Sequence, residues 1–534
     1  MSKNIVKDFF RVFLLVFGFL IVMFSILSPG LLAYFWEDLQ SLGTTALTVA
    51  VVAVFMVGVP ALILYIKQMI DGVKSFKQKR EWPKKTPTYN KVAPFLIIGI
   101  AFFGYTAYYP HWYYHFGLRP EFGPYLSYHA ESGMIVGWTT RTETESHVLY
   151  GLSPDNLDLE EWGGEFYWQG ANRPKTYTHS VWLDDLLPDT TYYYQIPSLS
   201  SEIHQFRSRP AEGVPRDIVF TILGDTQGNY RVQRDNIDLM KTTTGSFDNW
   251  DFTVIAGDIV NQDDNMPEWA MVMDSQSYGG VINQIPLMTS SGNHEVSRNY
   301  DHSLPRYNYK RYFQNAFPSG WENPDDNWDM GMYYSFSFSN LHMMFLDTFE
   351  NKREDNLTAT QLDWLEAELQ MANAADMWTM VVFHLSMYST SSHGPQVQLA
   401  EQLEPLMKEY EIDVMFWGHD HILEAFHAFS DEPYGGTHCF MVAGGGGTLK
   451  RVMDPSRMGD RVWEGRINEK GNYINIVSEA ADNRFDNVYG SEWQVYAEHC
   501  HHYMQVEISG NTGVFTAYRT ADGSIIDTYE ISRG

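Results

Sequence analysis

The stretch FTVIAGD, residues 252–258, decides how this chain is read. So short an apolar run suits a strand buried on both faces better than a helix. A glycine after it lets the backbone turn sharply and present the next carboxylate, Asp258, at the C-terminal edge of the sheet, where open α/β sheets hold their ligands. The same pattern recurs. DIVFTILGD ends in Asp225, IPLMTSSGNHE in Asn293 and His294, WTMVVFH in His384, and DVMFWGHDH in His419 and His421.

Hard oxygen donors mixed with imidazole nitrogens are a ligand set for Zn, Fe, Mn or a similar ion. One Asp between two such groups bridges two metals, and two metals about 3.5 to 4 Å apart activate water and clamp an in-line displacement at phosphorus. The motifs are weak singly, since Gly-Asp occurs by chance and a lone His at a strand end is usually a satisfied core or surface residue. Their joint order carries the reading: GDTQG, AGD, GNHE, VVFH and GHDH each close an apolar run.

Around these strands the chain from about 213 to 534 alternates strands with helices. Thr358 to Asn373 carries a Thr358/Gln361 capping pair with Leu362, Leu365 and Leu369 on one face, and Gln396 to Glu409 is a second amphipathic segment. After residue 438 strands return, in CFMVAGGGG, HHYMQVEISG, VFTAYRTADG and SIIDTYEIS. The expected class is α/β, a sandwich of two packed mixed sheets. Gly444 to Gly447 fits either a close backbone approach to the cleft or a bare loop. Cys439 and Cys500 are the two cysteines, and a disulfide, free thiols or a small site with nearby histidines all stay open.

From about 121 to 212 the pattern is alternating strands. MIVGWTT sets Met134, Val136 and Trp138 on one face, and HVLYG, THSVWL and TYYYQI continue the series. This is a small β-sandwich of immunoglobulin-like size, acting either as a spacer or as a wall at the mouth of the cleft.

Residues 1–120 read as a membrane region. Uncharged runs at about 12–36, 44–66 and 92–113 each suffice to cross a hydrocarbon core of about 30 Å. Lys3, Lys7 and Arg11 precede the first, as in a cleaved signal, but the run is long and no A-x-A-like site follows, so a retained span is expected. The Lys-rich connection from Lys67 to Lys91 belongs in the cytoplasm, which places the N-terminus inside and everything after the third span outside. The expected location is therefore the cell membrane, multi-pass, with the catalytic domain on the extracellular or periplasmic side.

Charge is uneven. The first 119 residues carry 12 Lys/Arg against 5 Asp/Glu, and the rest 25 against 61. So acidic a body repels nucleic acid, which is not an expected partner, and it also repels a phosphate ester, so the attraction has to be local.

With these motifs in place, the chain resembles the calcineurin-like metallophosphoesterases, and more closely the purple acid phosphatases, from about Pro124 onward. Trp138, Tyr150-Gly151, His179 and LLPDTTYYY resemble the fibronectin III-like leader of that family, and YYSFSFSNLHMMFLD, QLDWLEAEL and WTMVVFHLSMYS its catalytic domain. The resemblance implies that Asp225, Asp258 and His421 bind one metal, that Asp258, Asn293, His384 and His419 bind the other, and that His294 faces the substrate and protonates the leaving alkoxide. It implies an acid-phosphatase-like phosphomonoesterase using in-line attack by a metal-activated hydroxide. A phosphodiesterase, a nucleotide or lipid-headgroup hydrolase and a non-catalytic binding module are the alternatives. Two positions depart from the pattern. Asn261 stands where purple acid phosphatases have a Tyr, so no phenolate charge-transfer colour is expected. Gln227 stands where the wider superfamily often has a His, and either ligates through its carbonyl oxygen or holds a water.

Overall fold

The computed structural model describes residues 122–129, 133–168, 176–245, 249–263, 265–273, 278–296, 307–315, 332–350, 356–391, 393–450, 466–467, 473–475 and 493–533. Every described residue belongs to one compact unit, the second of the two into which the chain divides, residues 119–534. The three expected spans lie outside the described residues, among which no helix is long and apolar enough to cross a membrane.

Among the described residues, eight strands open the second unit: β1 (Phe122–Tyr128), β2 (Met134–Thr140), β3 (His147–Gly151), β4 (Leu159–Trp162), β5 (Gly164–Trp168), β6 (Thr176–Leu183), β7 (Thr191–Gln195) and β8 (His204–Arg207). They form two antiparallel four-stranded sheets ordered β1-β2-β6-β5 and β4-β3-β7-β8. Met134, Val136 and Trp138 alternate along β2 into one core with Val148 and Tyr194, as the period of two requires. Trp138 stacks on the buried His179, centroids 4.9 Å apart. Burial pushes the His179 imidazole down to about 4, and the ring is held from both nitrogens, Nε2 at 2.8 Å from the Thr140 hydroxyl and Nδ1 at 2.9 Å from that of Ser146.

The rest of the unit is a sandwich of two mixed sheets. Its strands are β9 (Ile218–Leu223), β10 (Phe252–Ala256), β11 (Leu287–Ser290), β12 (Tyr334–Phe338), β13 (Leu341–Phe345), β14 (Trp378–Val382), β15 (Val414–Trp417), β16 (Leu423–Ala428), β17 (Thr437–Val442), β18 (Arg466–Ile467), β19 (Tyr473–Asn475), β20 (Gln494–Glu498), β21 (His502–Ser509), β22 (Thr512–Arg519) and β23 (Ile525–Ser532). Helices α1 (Tyr230–Thr243), α2 (Met266–Val272), α3 (Tyr307–Tyr312), α4 (Ala359–Ala374) and α5 (Val397–Glu409) connect them.

Among the described residues one sheet orders β11-β10-β9-β21-β22-β23, its first three strands parallel. The other orders β12-β13-β14-β15-β17-β16-β20-β19-β18, with β13, β14, β15 and β17 parallel. Their inner faces share one core in which Phe220, Phe252, Phe336, Phe416, Phe440 and Phe515 are buried. Phe220 stacks on Phe252 at 4.8 Å, and each such ring contributes about 2 to 3 kcal/mol by burial. The outer faces are covered separately, the first partly by α1 through Ile237 and Met240, the second by α4 and α5 through Leu365, Leu369, Leu399 and Leu403.

Helix α4 begins as its sequence predicts, with the Thr358 hydroxyl accepting from the Gln361 backbone N–H at 3.2 Å. The reciprocal half of the capping pair does not form. The Gln361 side chain is buried and bonds Asp347, accepting from its N–H at 2.8 Å and donating to its carbonyl at 3.1 Å, so it ties α4 to the end of β13 instead.

The β-sandwich is bonded to the larger part of the unit at residues just ahead of β11. The Leu126 N–H donates to the Ile282 carbonyl at 2.7 Å and the Tyr194 hydroxyl to that of Asn283 at 2.7 Å. Both acceptors precede the N-terminal end of β11, whose C-terminal end leads to Asn293 and His294.

Candidate metal centre

Each candidate residue follows the C-terminal end of a parallel strand: Asp225 after β9, Asp258 after β10, Asn293 and His294 after β11, His384 after β14, His419 and His421 after β15. Because β9 to β11 lie in one sheet and β14 and β15 in the other, the residues meet where the two sheets share an edge. Carboxylate oxygens of Asp225 and Asp258 and a ring nitrogen of His384 all lie within 4.8 Å of one another, and all three residues are buried.

Two lobes extend from Asp258. In one, His421 Nε2 lies 3.1 Å from Asp225 Oδ1, while Gln227 Nε2 donates to Asp258 Oδ2 at 3.1 Å and sits 3.3 Å from His421 Nε2. In the other, His384 Nε2 lies 3.3 Å from Asp258 Oδ2 and 3.2 Å from Asn293 Oδ1, and His419 Nδ1 lies 2.9 Å from that same Asn293 oxygen. His294 stands beside the bridge. Its backbone N–H donates to Asp258 Oδ1 at 2.8 Å, its Nδ1–H donates to the Asn261 carbonyl at 2.8 Å, and its Nε2 is 3.7 Å from Asp258 Oδ2.

The backbone is bent to achieve this. Asp225, Asp258, His419 and His421 all have φ in the left-handed region, between 49° and 82°. L-residues avoid that region, and its concentration at one edge marks a functional constraint. Gly257, at φ 77°, supplies the turn that the sequence suggests. Gly418 serves a different purpose: a Cβ there would come within 2.5 Å of Asp225 Oδ2, so the glycine is a clearance for the carboxylate. The Gly444–Gly447 run makes the close approach rather than a bare loop, with the Gly447 N–H donating to the Asp225 carbonyl at 2.7 Å.

The donor set fits metal ions. Among the described residues no hydrogen bond reaches the buried Asp225 Oδ1, which has only His421 Nε2 at 3.1 Å, or the buried Gln227 Oε1, a costly arrangement that a cation relieves. The histidines point their remaining nitrogens inward. His384 Nδ1–H donates to the Ala256 carbonyl at 2.8 Å and His421 Nδ1–H to that of Thr448 at 2.7 Å, which leaves both Nε2 atoms facing the carboxylates. Burial alone would lower the His384 pKa, but the Asp258 charge overrides it and pushes the ring up to about 9. Burial raises and the charges of His384 and His294 lower Asp258, and the balance holds its carboxyl far below the usual range. Burial takes His419 down to about 3, which keeps that ring uncharged and available as a donor.

Several supporting residues escape a reading of motifs. Glu295, the last residue of GNHE, is fully buried, and its carboxylate accepts from the N–H groups of Asp258, Ile259, Val260 and Gly292 at 3.0, 2.8, 3.2 and 2.8 Å. Asp420, inside GHDH, accepts from the Ser389 hydroxyl at 2.6 Å and the His393 N–H at 2.9 Å. His393 then stacks on His419, centroids 4.3 Å apart. The signals were an unexplained Glu and Asp inside motifs otherwise assigned; nothing in the sequence marked His393. The backbone carbonyl of Asn261 accepts from His294 Nδ1–H at 2.8 Å, a bond that does not depend on the side chain at this position. Cys439 and Cys500 are both free and buried.

Residues 218–423 match calcineurin-like phosphoesterase, and residues 122–208 match the N-terminal domain of purple acid phosphatase. Over 388 residues, 65% of this chain and 82% of the relative, the sequence is 31% identical to acid phosphatase type 7 of Homo sapiens. The chain belongs to the calcineurin-like metallophosphoesterases. Within that family it is also similar to purple acid phosphatase 21 of Arabidopsis thaliana, 27% identical over 58% of this chain and 68% of that one. The fold resembles that of a purple acid phosphatase from yellow lupin (Lupinus luteus) seeds, with TM-score 0.58 over 77% of this chain and 74% of that one at 17% identity. As a metallophosphoesterase of the purple acid phosphatase kind this chain is a phosphatase, a hydrolase whose centre takes two metal ions of the Fe, Zn or Mn type.

Proposed function

We propose that this metallophosphoesterase is a phosphomonoesterase, with Asp225, Asp258 and His421 around one cation, Asp258, Asn293, His384 and His419 around the other, and Gln227 donating through Nε2 to the shared Asp258 carboxylate. The observation that carries the reading is the meeting of Asp225, Asp258 and His384 in one buried group, with unsatisfied oxygens of Asp225 and Gln227 beside it. When bound, the two cations supply Lewis acidity, activating water and offsetting charge on the phosphoryl oxygens. The chain's own residues arrange the rest. Asp258 joins the two lobes, and Asn293 Oδ1 lies 3.2 Å from His384 Nε2 and 2.9 Å from His419 Nδ1, so the three donor atoms would converge on one cation. His294, with its Nδ1–H bonded to Asn261, presents Nε2 toward the centre and holds the proton for the departing alkoxide.

The purified protein is expected to contain about two transition-metal ions per chain and to hydrolyse an aryl phosphate monoester at least tenfold faster than the aryl bis-ester. A bis-ester preference selects the diesterase alternative, and a metal-free protein without turnover removes the enzyme reading.

The uncharged runs ahead of residue 120, with the Lys-rich connection between the second and third, support a membrane-tethered protein whose catalytic domain lies outside the cytoplasm. Full-length protein should stay with membranes through alkaline carbonate extraction and be cut by protease from the outer face only. Release into the carbonate supernatant sinks the tether.

A further inference from the structure

The acidic balance of the chain beyond residue 119 leaves a problem that metals solve only in part. A phosphomonoester dianion has to approach a body carrying 61 Asp/Glu against 25 Lys/Arg. Long-range repulsion of that kind slows encounter unless cationic groups line the entrance.

Lys450 stands there. The chain leading to it is fastened to the metal centre in succession: the Gly447 N–H donates to the Asp225 carbonyl at 2.7 Å, the Thr448 carbonyl accepts from His421 Nδ1 at 2.7 Å, and the Lys450 N–H lies 3.4 Å from the His421 carbonyl. A residue tethered this way holds its position against solvent far better than one on a free loop. Its ammonium reaches over the ring of His393, with Nζ 2.9 Å from Nε2 and 3.1 Å from Nδ1.

The His393 ring is itself fixed. Its Nδ1 lies 3.0 Å from Asp420 Oδ1, and its face lies against His419 at 4.3 Å. Nζ lies nearly equidistant from the two ring nitrogens, which sets the ammonium against the face of the ring rather than in line with either nitrogen's lone pair. Among the described residues the ammonium has no hydrogen-bond partner besides His393, which leaves N–H bonds for a ligand one ring thickness from His419.

We infer that Lys450 is a specificity-determining residue, which binds a peripheral oxygen of the phosphoryl group and favours dianionic monoesters over monoanionic diesters. This rests on the phosphomonoesterase reading above. A charge-assisted contact of this kind is worth most to the ligand with the most charge: a monoester offers three peripheral oxygens sharing two negative charges, a diester only two sharing one. His393 and Asp420 act through Lys450 here, as positioning residues.

The test uses full-length, metal-loaded protein and the variants Lys450→Met, Lys450→Gln and Lys450→Arg, each checked for unchanged metal content. Inorganic phosphate binding, followed by titration calorimetry, should weaken about tenfold in the Met and Gln variants and recover within about threefold in Arg. For turnover, kcat/KM on an aryl monoester should fall about ten- to fiftyfold while that on the bis-ester changes less than about threefold. Phosphate binding unchanged in both neutral variants overturns the inference, as does a parallel loss on both esters or a loss of metal, which would mark a structural role. If the wild-type protein prefers the bis-ester while phosphate binding still depends on Lys450, the monoesterase reading fails and the lysine contact stands.

Discussion

Asp258→Asn is expected to lower kcat/KM on an aryl phosphate by at least about a thousandfold and to leave no more than about one metal per chain. The change is nearly isosteric, and the Asn oxygen still accepts the His294 N–H that Asp258 Oδ1 now takes at 2.8 Å, so the strand end keeps its shape. What disappears is the negative charge shared by two lobes, and an amide N–H₂ or a neutral oxygen then faces His384 Nε2, now 3.3 Å from a carboxylate. A neutral ligand offsets none of the charge by which two close cations repel each other. Elemental analysis and steady-state kinetics on the same preparation decide the matter. Activity within tenfold of wild type with two metals retained would mean that Asp258 is not the bridge, and a binding module that carries this site as a relic would tolerate the change.

Glu295→Ala should show the next largest effect, through a residue that touches no substrate. Four backbone N–H groups converge on its carboxylate, three of them from the turn that carries Asp258. Deleting the acceptor in a fully buried position leaves those donors unpaired at about 1 to 3 kcal/mol each before relaxation. A net loss of about 3 kcal/mol or more follows, read as a lowered midpoint of thermal unfolding. The turn is also expected to loosen, displacing Asp258 and cutting kcat/KM about a hundredfold. Glu295→Gln separates the two effects: it keeps the side-chain volume and one acceptor oxygen, so stability should recover in part while the rate stays low. Wild-type stability in the Ala variant would show that the turn holds itself without the carboxylate.

Gly257 illustrates how far local sequence carries. A short apolar strand followed by Gly-Asp is legible because φ 77° at the glycine is a local requirement, set by residues adjacent in the chain. The N-cap at Thr358 is legible for the same reason. Gly418 has the same appearance and another cause: the atom it makes room for belongs to Asp225, far away in sequence. Gln361 likewise follows Thr358 at the capping-box spacing, yet its side chain turns to Asp347, because a buried amide between β13 and α4 finds both a donor and an acceptor there.

From residue types and their spacing alone came the α/β sandwich, the small β-sandwich ahead of it, and the Asp, Asn and His set at the ends of five strands. Periodicity and strand length are properties of neighbouring residues, so they survive in one dimension. Tertiary structure decided which oxygens stay unsatisfied, that Glu295 ties the Asp258 turn together, that Asp420 orients His393, and that Lys450 reaches the same rim. Those facts depend on pairs such as Gln227 and His421, which are 194 positions apart, and no local pattern encodes which distant groups the packing of two sheets brings within hydrogen-bonding distance.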